Sequence, residues 1–132
     1  MKRLITLATT LLALTAVPFA LASAGPGKFE TTITGKGPRT ERGRLDGTWA
    51  IDLNTAPTGT TKLTWQGHPA GGGKYMISGS TITFTPKKHG QCKTNGKYTF
   101  HLDAGRLTFT PIKDTCTDRR DILTYGTWVT TE

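Results

Sequence analysis

The sequence predicts an all-β protein: a small antiparallel up-and-down β-barrel of about eight strands, with one short helix before the last strand. Three observations carry this. Apolar and polar residues alternate in short segments; turn residues recur about every eight to twelve positions; and beyond the N-terminal segment the chain is rich in Thr and Gly and poor in Leu.

Residues 1–24 stand apart. Met1-Lys2-Arg3 is a short basic start, residues 4–21 are almost uninterruptedly apolar, and Ala22-Ser23-Ala24 has the small-x-small form that signal peptidase cleaves. A retained anchor is the weaker reading, because the apolar run stops at Ala24 and Gly-Pro-Gly follows without a stop-transfer charge cluster. No cysteine lies at the junction, which argues against a lipid anchor. The expectation is an exported, released protein whose residues 25–132 form a single domain, large enough for one modest core. Without Lys2 and Arg3, the 17 basic residues become 15 against 9 acids, so the net charge of +8 falls to +6.

The strands follow in order. Phe29, Thr31 and Ile33 alternate with Glu30 and Thr32; Trp49, Ile51 and Leu53 with Ala50 and Asp52; Thr61, Leu63 and Trp65 with Lys62 and Thr64. Tyr75 and Ile77 lead through a Gly79-Ser80 turn to Ile82 and Phe84, and Tyr98, Phe100 and Leu102 lead through Asp103-Ala104-Gly105 to Leu107 and Phe109, so both pairs read as hairpins. The last strand is expected from Tyr125 to Thr131. Before it, Thr117–Thr124 (TDRRDILT) reads as a two-turn helix, with Thr115 or Thr117 as N-cap and Gly126 to end it.

Two hairpins share a pattern. GSTITFTPKKHGQC at 79–92 and GRLTFTPIKDTC at 105–116 each run from a turn glycine through Thr-Phe-Thr-Pro to a cysteine. In a meander the fifth and seventh strands run the same way, so Cys92 and Cys116 emerge at one rim and are expected to form a disulfide. The metal alternative lacks a Cys-x-x-Cys or a nearby His pair. Consecutive hairpins without a long crossing favour a closed barrel over a sandwich, since closure removes exposed edges. An outward face of Thr, Lys and Asp and short strands exclude an outer-membrane barrel.

Gly-Thr-Trp occurs twice, at 47–49 and 126–128. Gly47-Thr48-Trp49 opening a strand, a meander of about eight strands, and Arg119 or Arg120 just before the last strand resemble the lipocalin superfamily. The chain also resembles short secreted bacterial lipocalin-like domains with a Gly-x-Tyr hairpin and an Asp-x-Cys-x-x-Arg segment, matched by Gly96-Lys97-Tyr98 and by residues 114–119. The resemblance implies a calycin barrel closed at one end by Trp49, with one of Arg119 and Arg120 packed over the indole. A Thr-Asp-Tyr loop and the long C-terminal helix of larger lipocalins are missing. Trp128 falls on the opposite parity from Tyr125, Thr127 and Val129, and sequence leaves its direction open.

Nothing points to catalysis. His68, His89 and His101 are far apart in sequence, with His101 expected on an outer face, and no nucleophile elbow or zinc signature is present. Asp114, Asp118 and Asp121 beside Arg119 and Arg120 read as capping and ion pairing. No enzyme, metal or cofactor is expected. Basic residues cluster in two loops, Lys36, Arg39, Arg42 and Arg44, and Lys87, Lys88, Lys93 and Lys97, which suit an anionic cell-envelope polymer, an acidic protein or lipid headgroups as partner. Aromatics are not interleaved with them, so no nucleic-acid stacking platform is expected. Two functions remain for a monomer that is not membrane-embedded. One is binding of a small apolar molecule in a pocket lined by Leu63, Trp65, Tyr75, Ile77, Phe84, Tyr98 and Phe100; the other is a protein-binding module with a filled core.

Overall fold

The computed structural model describes residues 23–35, 39–40 and 43–131. Lys36, Arg42 and residues 1–22 of the expected leader lie outside the described residues. In chain order the elements are β1 (Ser23–Ile33), β2 (Arg39–Thr40), β3 (Gly43–Arg44), β4 (Gly47–Ala56), β5 (Thr58–Trp65), β6 (His68–Ser78), β7 (Thr81–Pro86), β8 (Gly96–Asp103), β9 (Arg106–Lys113), α1 (Thr117–Thr124) and β10 (Trp128–Thr130). Eight strands close into a barrel in the order β1, β10, β9, β8, β7, β6, β5, β4, with β4 returning to β1, and every pairing is antiparallel. This is the all-β barrel with one short helix before the last strand that the alternation predicts. The closed eight-stranded architecture is consistent with a calycin-like fold. β2 and β3 form a separate two-stranded sheet in which Arg39 pairs with Arg44.

Turn chemistry sets the meander. Gln66 and Gly67 between β5 and β6 have φ of 51° and 77°, and Ala104 and Gly105 between β8 and β9 have 47° and 74°. Positive φ at both central residues is the twist-matched geometry of a two-residue hairpin. The Gly79-Ser80 and Asp103-Ala104-Gly105 turns stand where the sequence places them. β6 starts seven residues before Tyr75, at His68, because glycines hide the strand from any hydrophobic pattern. β10 is shorter than expected, starting at Trp128 rather than Tyr125, and contributes only two register pairs to each neighbour. β1 begins at Ser23, so Ser23 and Ala24 pair with Ala56 and Thr55 ahead of a register shift; the ladder is regular from Gly27.

Alternate residues of each strand point inward. Phe84, Tyr98, Phe109 and Trp128 interlock edge to face at centroid separations of 5.9 to 6.4 Å and fill the half of the interior formed by β7 to β10. Trp128 points inward and is 0% exposed, its indole N–H donating to the Leu123 carbonyl at 3.1 Å, while Val129 faces out. The helix spans the predicted residues, with Ile122 and Leu123 buried against the barrel end. Its N-cap is Cys116, not Thr115 or Thr117, and no side chain caps it. The Thr115 hydroxyl instead bonds that of Thr94 at 2.7 Å, and Tyr125 rather than Gly126 sits at the C-cap. Cys92 and Cys116 form the expected disulfide, their Cα atoms 5.5 Å apart.

Candidate functional site

The helix sits at the barrel end where β9 releases the chain and β8 begins. One residue fixes it there. Asp114 accepts from Arg119 Nε at 2.7 Å and Nη2 at 2.6 Å, from the Cys116 N–H at 2.8 Å, and from the Tyr98 hydroxyl. Arg119 Nη2 also donates to the Thr94 carbonyl at 2.9 Å. A β-carbon on Gly96 would lie 2.5 Å from Asp114 Oδ2 and 2.7 Å from the guanidinium, so only glycine leaves room for this ion pair over the start of β8. The Gly-x-Tyr and Asp-x-Cys-x-x-Arg segments are therefore one cluster in space, joining β8, the end of β9, the disulfide and α1.

The electrostatics follow from burial and pairing. Burial alone pushes the Asp114 carboxyl up, but hydrogen bonds from Arg119, Tyr98 and the Cys116 N–H outweigh it and hold the group below its ordinary value. Burial also pushes Tyr98 upward, and its bond to the Asp114 carboxylate adds to that. Arg119 loses affinity for its proton by burial and regains more from Asp114. All three groups keep fixed protonation states at neutral pH. The cluster ties α1, the disulfide and the end of β9 to the start of β8.

Both arginines before the last strand have carboxylate neighbours. Arg119 is engaged by Asp114, and Arg120 leans toward Asp121 at 3.9 Å. The ring of Trp65 lies against Trp49, 6.3 Å away and tilted by 41°. Trp49 is buried, with its indole N–H on the Leu45 carbonyl at 2.9 Å. Trp65, last residue of β5, is 40% exposed at the rim; its indole N–H bonds the Asp46 carbonyl and occupies the space a side chain on Gly47 would need.

Beside the clamp lies a cavity of about 150 Å³ between α1, the loop of residues 87–95 and the inner face of β4 to β7. Ile51, Leu63, Phe84, Ile122 and Leu123 give it apolar walls. Three consecutive glycines of β6 form one side. A β-carbon at Gly73 would lie 2.2 Å from the Thr85 carbonyl oxygen and one at Gly72 2.6 Å from that of Thr61, so these two backbones are pressed too close to admit side chains. At the mouth Gln91 Nε2 donates to Asp118 Oδ2 at 2.5 Å, and Lys87 is exposed.

Of the seven residues expected to line a pocket, only Leu63 and Phe84 line this cavity. Tyr75 is buried with its hydroxyl on the Thr55 carbonyl at 2.7 Å, at the far end of the barrel. Tyr98 belongs to the clamp, Ile77 and Phe100 pack half-buried against the core, and Trp65 lies outside. Sequence reasoning missed Ile51, Thr61, the glycines, Ile122 and Leu123. The run Gly71-Gly72-Gly73 was the available signal, since glycine inside a strand marks a close approach by a ligand or another backbone.

Elsewhere, His68, His89 and His101 are exposed, with His101 outward on β8. Among the described residues, no group of three or more His, Cys, Asp or Glu is placed to hold a metal, and no helix is long and apolar enough to cross a membrane. Lys87, Lys88, Lys93 and Lys97 are exposed. Compared with protein-family models, with curated proteins and with solved structures, the chain matches none.

Proposed function

We propose that this chain is an exported, bacterial, lipocalin-like domain that binds one small apolar molecule in the cavity beneath α1. The cavity is the observation that carries this: about 150 Å³ with Ile, Leu and Phe walls. An enclosed apolar cavity of that size accepts benzene, and this one opens outward past Lys87, Gln91 and Asp118. The volume also limits the ligand, because sites for drug-sized molecules span about 300 to 1,000 Å³. A single ring or a short chain fits; a haem or a lipid does not. The signal-like N-terminus and the disulfide, a bond favoured in oxidising compartments, support export.

The test is a titration of the oxidised protein with toluene, followed by NMR of side-chain methyl groups. Saturable shifts centred on Ile51, Leu63, Ile122 and Leu123 are expected. Native mass spectrometry of protein recovered from its own host then identifies a retained molecule. If toluene moves none of these methyls and only a protein partner is retained, the filled-barrel, protein-binding alternative replaces this reading.

A further inference from the structure

Of the polar side chains that line the cavity, which include Lys74, Thr85, Lys87, Gln91, Asp118 and Arg119, Thr61 alone is buried. Thr61, on β5 between the inward positions of Gly59 and Leu63, lines the cavity and is 6% exposed. Its hydroxyl oxygen has no hydrogen-bond partner among the described residues. The other buried threonine behaves differently: Thr31, 7% exposed, donates to the Thr127 carbonyl at 3.0 Å. Buried hydroxyls normally find partners, because leaving one unpaired forfeits its hydration without return. Valine has the same shape and would pack this position without that penalty, so packing does not explain threonine here.

Charge sets a second constraint. Asp118 is engaged by Gln91 and Arg119 by Asp114, while Lys74 and Lys87, which also line the cavity, are exposed. An ion carried to the level of the buried Thr61 would lose the hydration that the exposed lysines keep. A neutral group that donates or accepts one hydrogen bond meets no such obstacle.

We infer that the ligand of this cavity is a small, neutral ring or short-chain molecule bearing one hydroxyl or carbonyl group, which enters buried end first and hydrogen-bonds Thr61 Oγ1. This rests on the cavity being a ligand site and specifies which molecules it selects. The apolar walls hold the body of the ligand, and Thr61 distinguishes an alcohol, phenol or ketone from a hydrocarbon of equal size.

Phenol and toluene supply the test, since each has seven heavy atoms and nearly the same shape. Their dissociation constants are measured for the wild-type protein and for Thr61→Val, a substitution of equal volume. Phenol pays more to leave water, so the informative quantity is the phenol-to-toluene ratio in one protein relative to the other. Losing one buried hydrogen bond is worth about tenfold in affinity, so Thr61→Val is expected to weaken phenol about tenfold and to leave toluene unchanged or slightly tighter. A ratio that is the same in both proteins overturns the role of Thr61 while leaving the apolar site intact. Failure of both ligands to bind the wild type overturns the site itself. Gly71→Ala guards against binding elsewhere: its added methyl sits 3.6 Å from Leu63 Cδ2, an ordinary contact, and takes volume from the cavity. It is expected to weaken both ligands together, and two affinities unaffected by it would place the binding outside the cavity and refute the inference.

Discussion

Replacing Asp114 with alanine tests whether one buried charge cluster holds helix and barrel together. The carboxylate is fully buried and receives four hydrogen bonds. Its loss leaves a guanidinium that is 13% exposed with the Thr94 carbonyl as remaining acceptor, and strands the Tyr98 hydroxyl in a fully buried residue. Breaking a buried ion pair from one side costs about 3 to 5 kcal/mol. A domain of this size is stable by about 5 to 15 kcal/mol, and each kcal/mol shifts its midpoint by about 4 to 8 °C, so Asp114→Ala should lower Tm by at least about 12 °C. The pH dependence supplies a second readout. The folded state holds the Asp114 carboxyl below its ordinary value of 3.8, so below that pH the unfolded chain binds more protons at this group. Its contribution is full above about pH 4 and is lost as pH falls through the folded value, at up to about 1.4 kcal/mol per pH unit. Asp114→Asn removes that component and leaves those of other carboxylates. Urea unfolding with the disulfide intact, repeated between about pH 7 and about pH 2, measures both effects. A loss below about 1 kcal/mol for Asp114→Ala, with identical acid limbs for wild type and Asp114→Asn, refutes the reasoning.

Removing the disulfide by Cys92→Ser with Cys116→Ser opens the loop between the two positions, 24 apart in sequence, and should lower stability by roughly 3.5 kcal/mol in the chain-entropy model, read as a lower urea midpoint. Two alkylatable thiols in the exported, unfolded protein would contradict the pairing. Trp49→Ala should cost about 3 to 5 kcal/mol, and a double-mutant cycle should find about 0.5 to 1.5 kcal/mol of coupling with Trp65. Coupling to Arg120 in place of Trp65 would restore the arginine-over-indole closure.

Alternation and turn residues made the barrel legible, because each short strand has one apolar face and three tight hairpins carry a glycine of positive φ, at Gly67, Gly79 and Gly105. The helix was legible to the residue, yet not its cap: Asp114 takes the Cys116 N–H, a bond that depends on where the disulfide and Arg119 hold the chain. Neighbouring helix positions point about 100° apart, which separates Arg119 from Arg120 but does not reveal their partners. That required knowing that Gly96, distant in sequence, presents bare backbone beneath the guanidinium. Trp65 shared the inward parity of Leu63, but parity does not report that β5 ends there, at a rim where an indole is half in water. The cavity was least legible, since it arises from side chains that are missing along β6, and a hydrophobic pattern records only those present.

The brevity of β10 has a kinetic meaning. Phe29 and Thr130 are partners about a hundred positions apart, and joining such ends in an otherwise unstructured chain costs about 4 kcal/mol of entropy, whereas two register pairs give little in return. The pairings from β4 to β9 join strands adjacent in sequence, the longest connection being the nine residues 87–95, and are expected to draw the ends together first, leaving β10 to zip in last. Until it does, β1 and β9 are open edges with unpaired amides and carbonyls. The strip of β10 is thus the seam of the barrel: the last stitch in folding, the first to part, and the line along which two unfinished copies would join.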